Sequence, residues 1–202
     1  MITNGYGEKL YEVRLKWNLG LSAERLKMKL LVDNKLVNLI EHAVEKALTE
    51  LFKNNEHFYY ITLITTGEGL CPFISAWSHE ALERASNGDE DEKYYLKWAY
   101  DESPYFDYGS QFFAEVKKEF EKRSVLLTDE KFFDEVNTRI NSMEQALINL
   151  DMKGIFGEGK NRNDIVINAE VMPPDYSNTL RAKRLNPPES IIEWLEEIAE
   201  EE

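Results

Sequence analysis

Cys71 is the only cysteine in the chain. A cysteine nucleophile needs a neighbouring base and an electropositive setting. His79 is the nearest histidine downstream, but Cys71 stands beside Pro72 in an apolar stretch, which reads as a buried structural thiol. His42, His57 and His79 share no metal-ligand spacing, so they read as separate structural or surface groups. Thr66-Gly67-Glu68-Gly69 is not followed by Gly-Lys-Ser/Thr and joins two strands, so it is a turn and not a phosphate loop. Gly154, Gly157 and Gly159 lack the strand-before, helix-after setting of a dinucleotide site. The acidic run Asp89 to Glu92 lacks the ligand order and glycine of a calcium loop and reads as a solvated loop. These patterns yield no catalytic residue, no metal site and no cofactor.

What remains is recognition chemistry. Tyr94, Tyr95, Trp98, Tyr100 and Tyr105 are interleaved with Asp101, Glu102 and Asp107. Aromatic side chains give large contact area at low entropy cost, and carboxylates complement a basic partner. Residues 94–108 are therefore the candidate partner-binding segment, against the simpler reading that these aromatics are core. Arg181, Lys183 and Arg184 form a small basic cluster before Asn186-Pro187. An anion at a helix end is one use for it. Pairing with nearby acids is the better one.

The bulk composition points the same way. The 202 residues suit one domain, and 43% hydrophobic content supports a core. A net charge of -14 disfavours nucleic acid and anionic membrane as ligands. It favours a basic protein, although it also serves plain solubility. Residues 1–35 carry seven basic and four acidic residues, so the negative charge belongs to the rest of the chain. A single cysteine allows no intrachain disulfide and suits a reducing compartment. No stretch of 18 apolar residues occurs, and Met1 to Gly7 lacks signal-peptide order, so the expectation is cytoplasmic.

These residues need elements to position them. Tyr11 to Leu21 alternates apolar and polar, which predicts an N-terminal strand, with a short Ser22-capped helix after it. Leu36 to Phe52 has a helical stripe of Leu36, Ile40, Ala43, Val44, Ala47, Leu48 and Leu51. Phe58 to Thr65 and Leu70 to Trp77 read as a hairpin, with Pro72 marking an edge strand. Ser78 caps a helix that Gly88 ends, and Ser110 opens another through Arg123. Thr128 opens a long helix whose stripe includes Phe132, Phe133, Val136, Ile140, Met143, Leu147 and Leu150, with Gly154 as its stop. Residues 164–172 form a strand with Ile165, Ile167, Ala169 and Val171 on one side. Ser177 caps a helix to Arg184, and a last helix spans 190–199. The sum is an α+β fold: a small, mostly antiparallel sheet (hairpin 58–77 plus strand 164–172, with a possible N-terminal strand) packed with several helices. The domain reading is an extension over 1–34 and a single α+β domain over 35–202.

Four blocks together carry a resemblance. They are Phe58-Tyr59-Tyr60 through Cys71-Pro72 with Leu82, Lys97-Trp98-Ala99-Tyr100, the stretch Leu147 to Gly157, and Arg181 to Pro188 with its Arg-Leu-Asn-Pro-Pro. In this order they resemble the bacterial family catalogued as domain of unknown function 4303, over residues 35 to about 197. The resemblance implies no activity. Small acidic bacterial families of this kind include immunity proteins that neutralise toxins, and that association is at the level of class alone.

Three functional classes follow. The first is a non-enzymatic protein-binding domain, an immunity-type inhibitor of a basic, toxin-like protein. The second is an enzyme whose site assembles only in the fold, using Cys71 with His79, or carboxylates such as Glu68 and Asp101. The third is a structural subunit that oligomerises through residues 1–34.

Overall fold

The computed structural model describes residues 31–123 and 129–202. The N-terminal strand and short helix expected before residue 31, and the capping role of Thr128, lie outside the described residues.

Every residue from Phe58 to Thr66 is aromatic, aliphatic or β-branched, so this run tolerates burial on both faces. It forms β1, the central strand of three. β2 (Phe73–Ser78) pairs with it antiparallel and β3 (Val166–Met172) pairs with it parallel. The α+β class stands, and the parallel pair makes the sheet mixed where a mostly antiparallel one was expected. The cause is the long helical connection between the hairpin and β3, which returns the chain in the direction of β1.

A bulge separates the two ends of β1. Phe58 pairs with Ser78 and Tyr60 pairs with Trp77, so β1 carries one extra residue. Phe58 therefore joins one core, and Tyr59 and Tyr60 join the other. The first core lies between one sheet face (Ile61, Leu63, Ile74, Ala76, Ile167, Ala169) and two helices. One is α1 (Asn34–Leu51), whose buried side matches the predicted stripe and whose first amides bond to Asp33 Oδ1 at 2.8 and 3.2 Å. The other is the long helix that follows residue 128, Asp129–Met152. Its stripe holds at Val136, Ile140, Met143, Leu147 and Leu150, but Phe133 is exposed. Phe133 stands about 100° round the helix from Phe132, which packs against Val136, Ile140 and Val171, so it turns away from the core.

The second core covers the opposite face. It collects α2 (His79–Ser86), Trp98, α3 (Glu90–Leu96) through Leu96, and the chain beyond β3. Ser78 caps α2 as expected, and its Oγ accepts from Ala81 N at 2.9 Å. The acidic run 89–92 is not a loop. Asp89 caps α3, and Glu90, Asp91 and Glu92 form its first turn, where carboxylates complement the helix dipole. Beyond the helix Ala114–Lys122 and the long helix comes β3, which begins two residues later than expected because 159–164 form a 3-10 turn. The helix Tyr176–Leu185 is capped by Asp175 and not by Ser177, whose own N–H donates to Asp175 Oδ1 at 2.8 Å. The last helix spans Ile192–Glu197. We call these four helices α4 (Ala114–Lys122), α5 (Asp129–Met152), α6 (Tyr176–Leu185) and α7 (Ile192–Glu197).

Both sheet edges are closed by groups that are not strands. At β3, Asn186 accepts from Ile167 N at 2.8 Å and donates to Ile167 O at 2.6 Å. Asn178 does the same for Val171, at 2.8 and 3.0 Å. Arg181 Nε donates to Ala169 O at 2.5 Å, and Ala169 N reaches Asn168 Oδ1 at 2.9 Å. At β2, Tyr108 N donates to Ile74 O at 3.0 Å and Ser103 Oγ donates to Ala76 O. An unpaired buried backbone group costs about 1–3 kcal/mol, so these bonds matter. Asn178→Ala and Asn186→Ala are each expected to destabilise the fold by about 1–3 kcal/mol, read as lowered urea midpoints at unchanged slope.

Candidate functional site

The face of the sheet under the second core is unusual in its chemistry. Register places Tyr60, Thr62 and Thr66 of β1 beside Ser75 and Trp77 of β2 and Asn168, Glu170 and Met172 of β3. Thr62, Ser75, Asn168 and Glu170 are all buried. A strand alternating polar with apolar usually turns its polar side to water. Here a second layer covers that side, so its polar groups must find partners within the protein.

Tyr60 donates its hydroxyl to Glu170 Oε1, and Asn168 Nδ2 donates to the same oxygen at 3.2 Å. Burial pushes the Glu170 carboxyl above its ordinary value, against the lowering effect of the Tyr60 and Asn168 bonds and the Arg181 charge. Burial, then the neighbouring Glu170, pushes the Tyr60 hydroxyl well up as well. Arg181 is also desolvated and is lowered to about 10. It makes its bonds to Ala169 O and to Asn178 Oδ1, the latter at 2.5 Å, and not to a carboxylate. Of the predicted basic cluster, Arg184 does pair with an acid, Glu144, at 2.6 and 2.9 Å.

A cavity of about 150 Å³ opens over this group. Tyr60, Trp98, Tyr100, Glu170, Trp194 and Asn178 line it, and Pro174, Ile198 and Glu200 lie toward the surface. Trp194 is 2% exposed and its Nε1 has no acceptor in hydrogen-bonding geometry, although it lies close enough to oppose the rise of the Tyr60 hydroxyl. Thr62 Oγ1 is also buried with no partner in hydrogen-bonding geometry among the described residues, although it lies close to Tyr60 and Glu170. The C-terminal segment is held over the cavity by Thr179 Oγ1, which donates to Glu200 O at 3.0 Å.

The sequence-derived partner segment divides around this cavity. Trp98 and Tyr100 are cavity walls. Trp98 is 9% exposed, packs edge-on against Tyr59 and Tyr60, and donates from Nε1 to Glu197 Oε2 at 2.5 Å. Tyr105 is half-buried on the other side of the sheet end, where its hydroxyl donates to Glu56 Oε2 at 2.7 Å. Asp101, Glu102 and Asp107 are exposed. Tyr94 and Tyr95 are exposed on α3, at 61% and 75%. α3 and α7 are joined through Lys97, which pairs with Glu193 and with Glu197. Lys97 therefore links the C-terminal end of α3, the helix that carries Tyr94 and Tyr95, to the glutamates of α7.

The groups named for an enzymatic site do not meet. Cys71 and His79 flank opposite ends of β2, a separation on the order of 20 Å for a six-residue strand. Burial pushes the Cys71 thiol up to about 11. Glu68 lies exposed in the hairpin turn and Asp101 is exposed beyond α3. His42 is exposed on α1, and His79 stacks on Tyr59 at 4.8 Å. Gly154, Gly157 and Gly159 have positive φ in the turn between α5 and β3, as turn glycines do. The hollow beside them is lined by Asp151 and Arg162, which pair with each other at 2.5 Å. Among the described residues no three His, Cys, Asp or Glu side chains are grouped to hold a metal, and no helix is long and apolar enough to cross a membrane.

A family model described as Domain of unknown function (DUF4303) matches residues 40–187. The chain belongs to the DUF4303 family. No curated protein and no solved structure matches it. The matched stretch includes β1 to β3, Tyr60, Trp98, Glu170 and the edge-closing residues of α6. Trp194, Ile198 and Glu200 lie beyond it, so the wall of the cavity supplied by the C-terminal segment is outside the DUF4303 match.

Sequence reading missed Tyr60, Thr62, Asn168, Glu170 and Trp194. The available signal was the polar alternation of Asn168 and Glu170 inside a strand that follows a doubly apolar one.

Two pH effects follow. The exposed His57 ring meets Glu80 Oε1 at 2.5 Å, which holds His57 above 6.5 and pushes Glu80 down to about 2. The pair's stabilisation is present from pH 4.5 to 6.5, fades as pH falls toward 2, and fades as pH rises through the His57 value. Ring-proton NMR should place the His57 midpoint above 6.5 and return it to about 6.5 in Glu80→Gln. The Glu170 carboxyl has the opposite consequence. Because it is held above 4.5, the unfolded chain ionises first and wild-type stability falls as pH rises from 4.5. Glu170→Gln should flatten that decline in a pH series of urea midpoints.

Proposed function

We propose that the chain is a non-enzymatic binding domain that captures a basic protein on the surface formed by α3 and α7, as an immunity-type inhibitor of a basic toxin would. The observation that carries this reading is the exposed pair Tyr94 and Tyr95 among carboxylates of two elements. Glu90, Asp91 and Glu92 are exposed on one side, and Glu193, Glu196, Glu201 and Glu202 on the other. Two large aromatic rings left in water next to one another are the composition of an interface centre. The carboxylates around them form the rim, and such a field raises the rate of encounter with a cationic surface. The net charge of -14 extends the same field over the molecule.

The reading is compatible with a rigid scaffold. Lys97 spends its charge on Glu193 and Glu197, and Trp98 bonds to Glu197. α7 is thereby fixed against the end of α3, so the two acidic groups keep one arrangement before any partner arrives. Preorganisation of this kind lowers the entropy cost of association.

The test is affinity capture from the native host with immobilised protein. A basic protein should be retained at low salt and released at moderate salt. The Tyr94→Ser/Tyr95→Ser double variant, whose side chains support no core, should keep the wild-type urea midpoint and bind that protein about tenfold more weakly or worse. Failure to retain a basic protein, or equal retention by wild type and variant, would remove the proposal.

A further inference from the structure

The cavity between the sheet and the C-terminal segment has its own ligand chemistry. Its walls are four aromatic side chains, Tyr60, Trp98, Tyr100 and Trp194. Its deep end holds Glu170, and Glu200 stands toward the surface. A ring face attracts a cation through its quadrupole, and a desolvated site strengthens the attraction. Trp98 already does this on its own account, with the Lys97 ammonium 5.1 Å from the ring centroid. Among the described residues the Tyr60 and Asn168 bonds to the Glu170 carboxyl end on Oε1, and the Thr62 hydroxyl also stands close enough to favour its charged form, so Oε2 is the oxygen that would take a donor from a guest. Thr62 Oγ1, close to Tyr60 and Glu170, is a second buried oxygen that makes no well-aligned hydrogen bond among the described residues. Trp194 Nε1 is a buried donor that approaches the Tyr60 hydroxyl but makes no well-aligned bond among the described residues, and an oxygen beside the guest's cation would satisfy it. The volume of about 150 Å³ matches cavities that hold one benzene ring, so the guest is a short chain and not a nucleotide or sugar chain.

We propose that this cavity binds a primary alkylammonium group, with its chain between the aromatic walls and its nitrogen at Glu170. The proposal deepens the reading of the α3 and α7 surface, since a lysine of a basic partner would supply such a group, and a free small amine has the same chemistry. Ammonium is favoured over a neutral guest because the cavity has two carboxyl groups and lies under the most acidic part of the chain. A cation in the cavity would add a directly paired charge to a desolvated carboxyl that otherwise has the neutral donors Tyr60 and Asn168.

The experiment uses the full chain and n-butylammonium chloride, with 1-butanol as the neutral probe of equal length and sodium chloride to match ionic strength. The indole N–H resonance of Trp194 is followed by NMR. A saturable shift with butylammonium, with 1-butanol about tenfold weaker or worse, is the expected result. Glu170→Gln, which is close in shape, should weaken butylammonium by a similar factor. No saturable shift, equal binding of the two probes, or unchanged binding in Glu170→Gln would overturn the proposal. Competition then separates the sources. Displacement of the captured basic protein by butylammonium assigns the cavity to a partner lysine, and amine binding without displacement assigns it to a free amine. Loss of capture in the Tyr94/Tyr95 variant with amine binding intact would show the two readings to be separable. Capture of the basic protein by a chain that fails to bind butylammonium would retain the surface and discard the cavity.

Discussion

Among the described residues the sheet has three strands, so two edges lack a neighbouring strand and one strand is paired on both sides. Its stability rests on how those edges are satisfied. At β3 the answer is a helix whose side chains act as a fourth strand. Asn178, Arg181 and Asn186 meet the outward groups of Val171, Ala169 and Ile167. At β2 the answer is the segment after α3, through Ser103 and Tyr108. These bonds fix the distance of α6 and of residues 97–108 from the sheet. The second core and the cavity lie between those two attachments, so their geometry is set by edge closure. This gives a physical meaning to the Arg181 to Pro188 block, whose Asn186 is a pairing group and whose prolines stop the helix that carries it.

Buried arginines extend the same logic. Arg162 bonds to Asp151, to Ile165 O and to Leu185 O, joining the end of α5 to both ends of the β3–α6 unit. Arg139 bonds to Glu135 and to the carbonyls of Gly69, Phe120 and Arg123. A guanidinium suits this use because its planar fork serves several carbonyls at once. Among the described residues Arg139, Arg162 and Arg181 are buried, and so are Glu119, Glu144 and Glu170, so burial withdraws the two signs equally. What faces water keeps the acidic excess of the composition, and the first turn of α3 and the glutamates of α7 are part of it.

The helices were legible because burial on one side leaves a period near 3.6 in the chain, as at Leu36 to Leu51. The hairpin and its edge strand were legible from β-branched residues, turn glycines and Pro72. The buried polar face was not. Asn168 and Glu170 look like the wet side of a strand, and only the later return of α6 and α7 over them makes them internal. Asp89 to Glu92 was misread for a related reason, since acids that mark a solvated loop are equally the residues of a helix first turn. Trp98 and Tyr100 were singled out for their type, and the fold gives them a different partner from Tyr94 and Tyr95. Their neighbours in sequence offer no hint of that division, because it comes from Lys97 turning the chain between α7 and the sheet.

Cys71 carries one last implication. It lies at the mouth of the hairpin, next to Arg139 and the turn that this arginine holds through Gly69 O. With its thiol at about 11, roughly one molecule in ten thousand carries the reactive sulfur anion at neutral pH. Cys71 is only half-buried, so it already meets water at this corner, and loosening the hairpin from α5 would expose the rest. The alkylation rate of this one thiol would therefore report the exposure and electrostatics of the corner together with its opening.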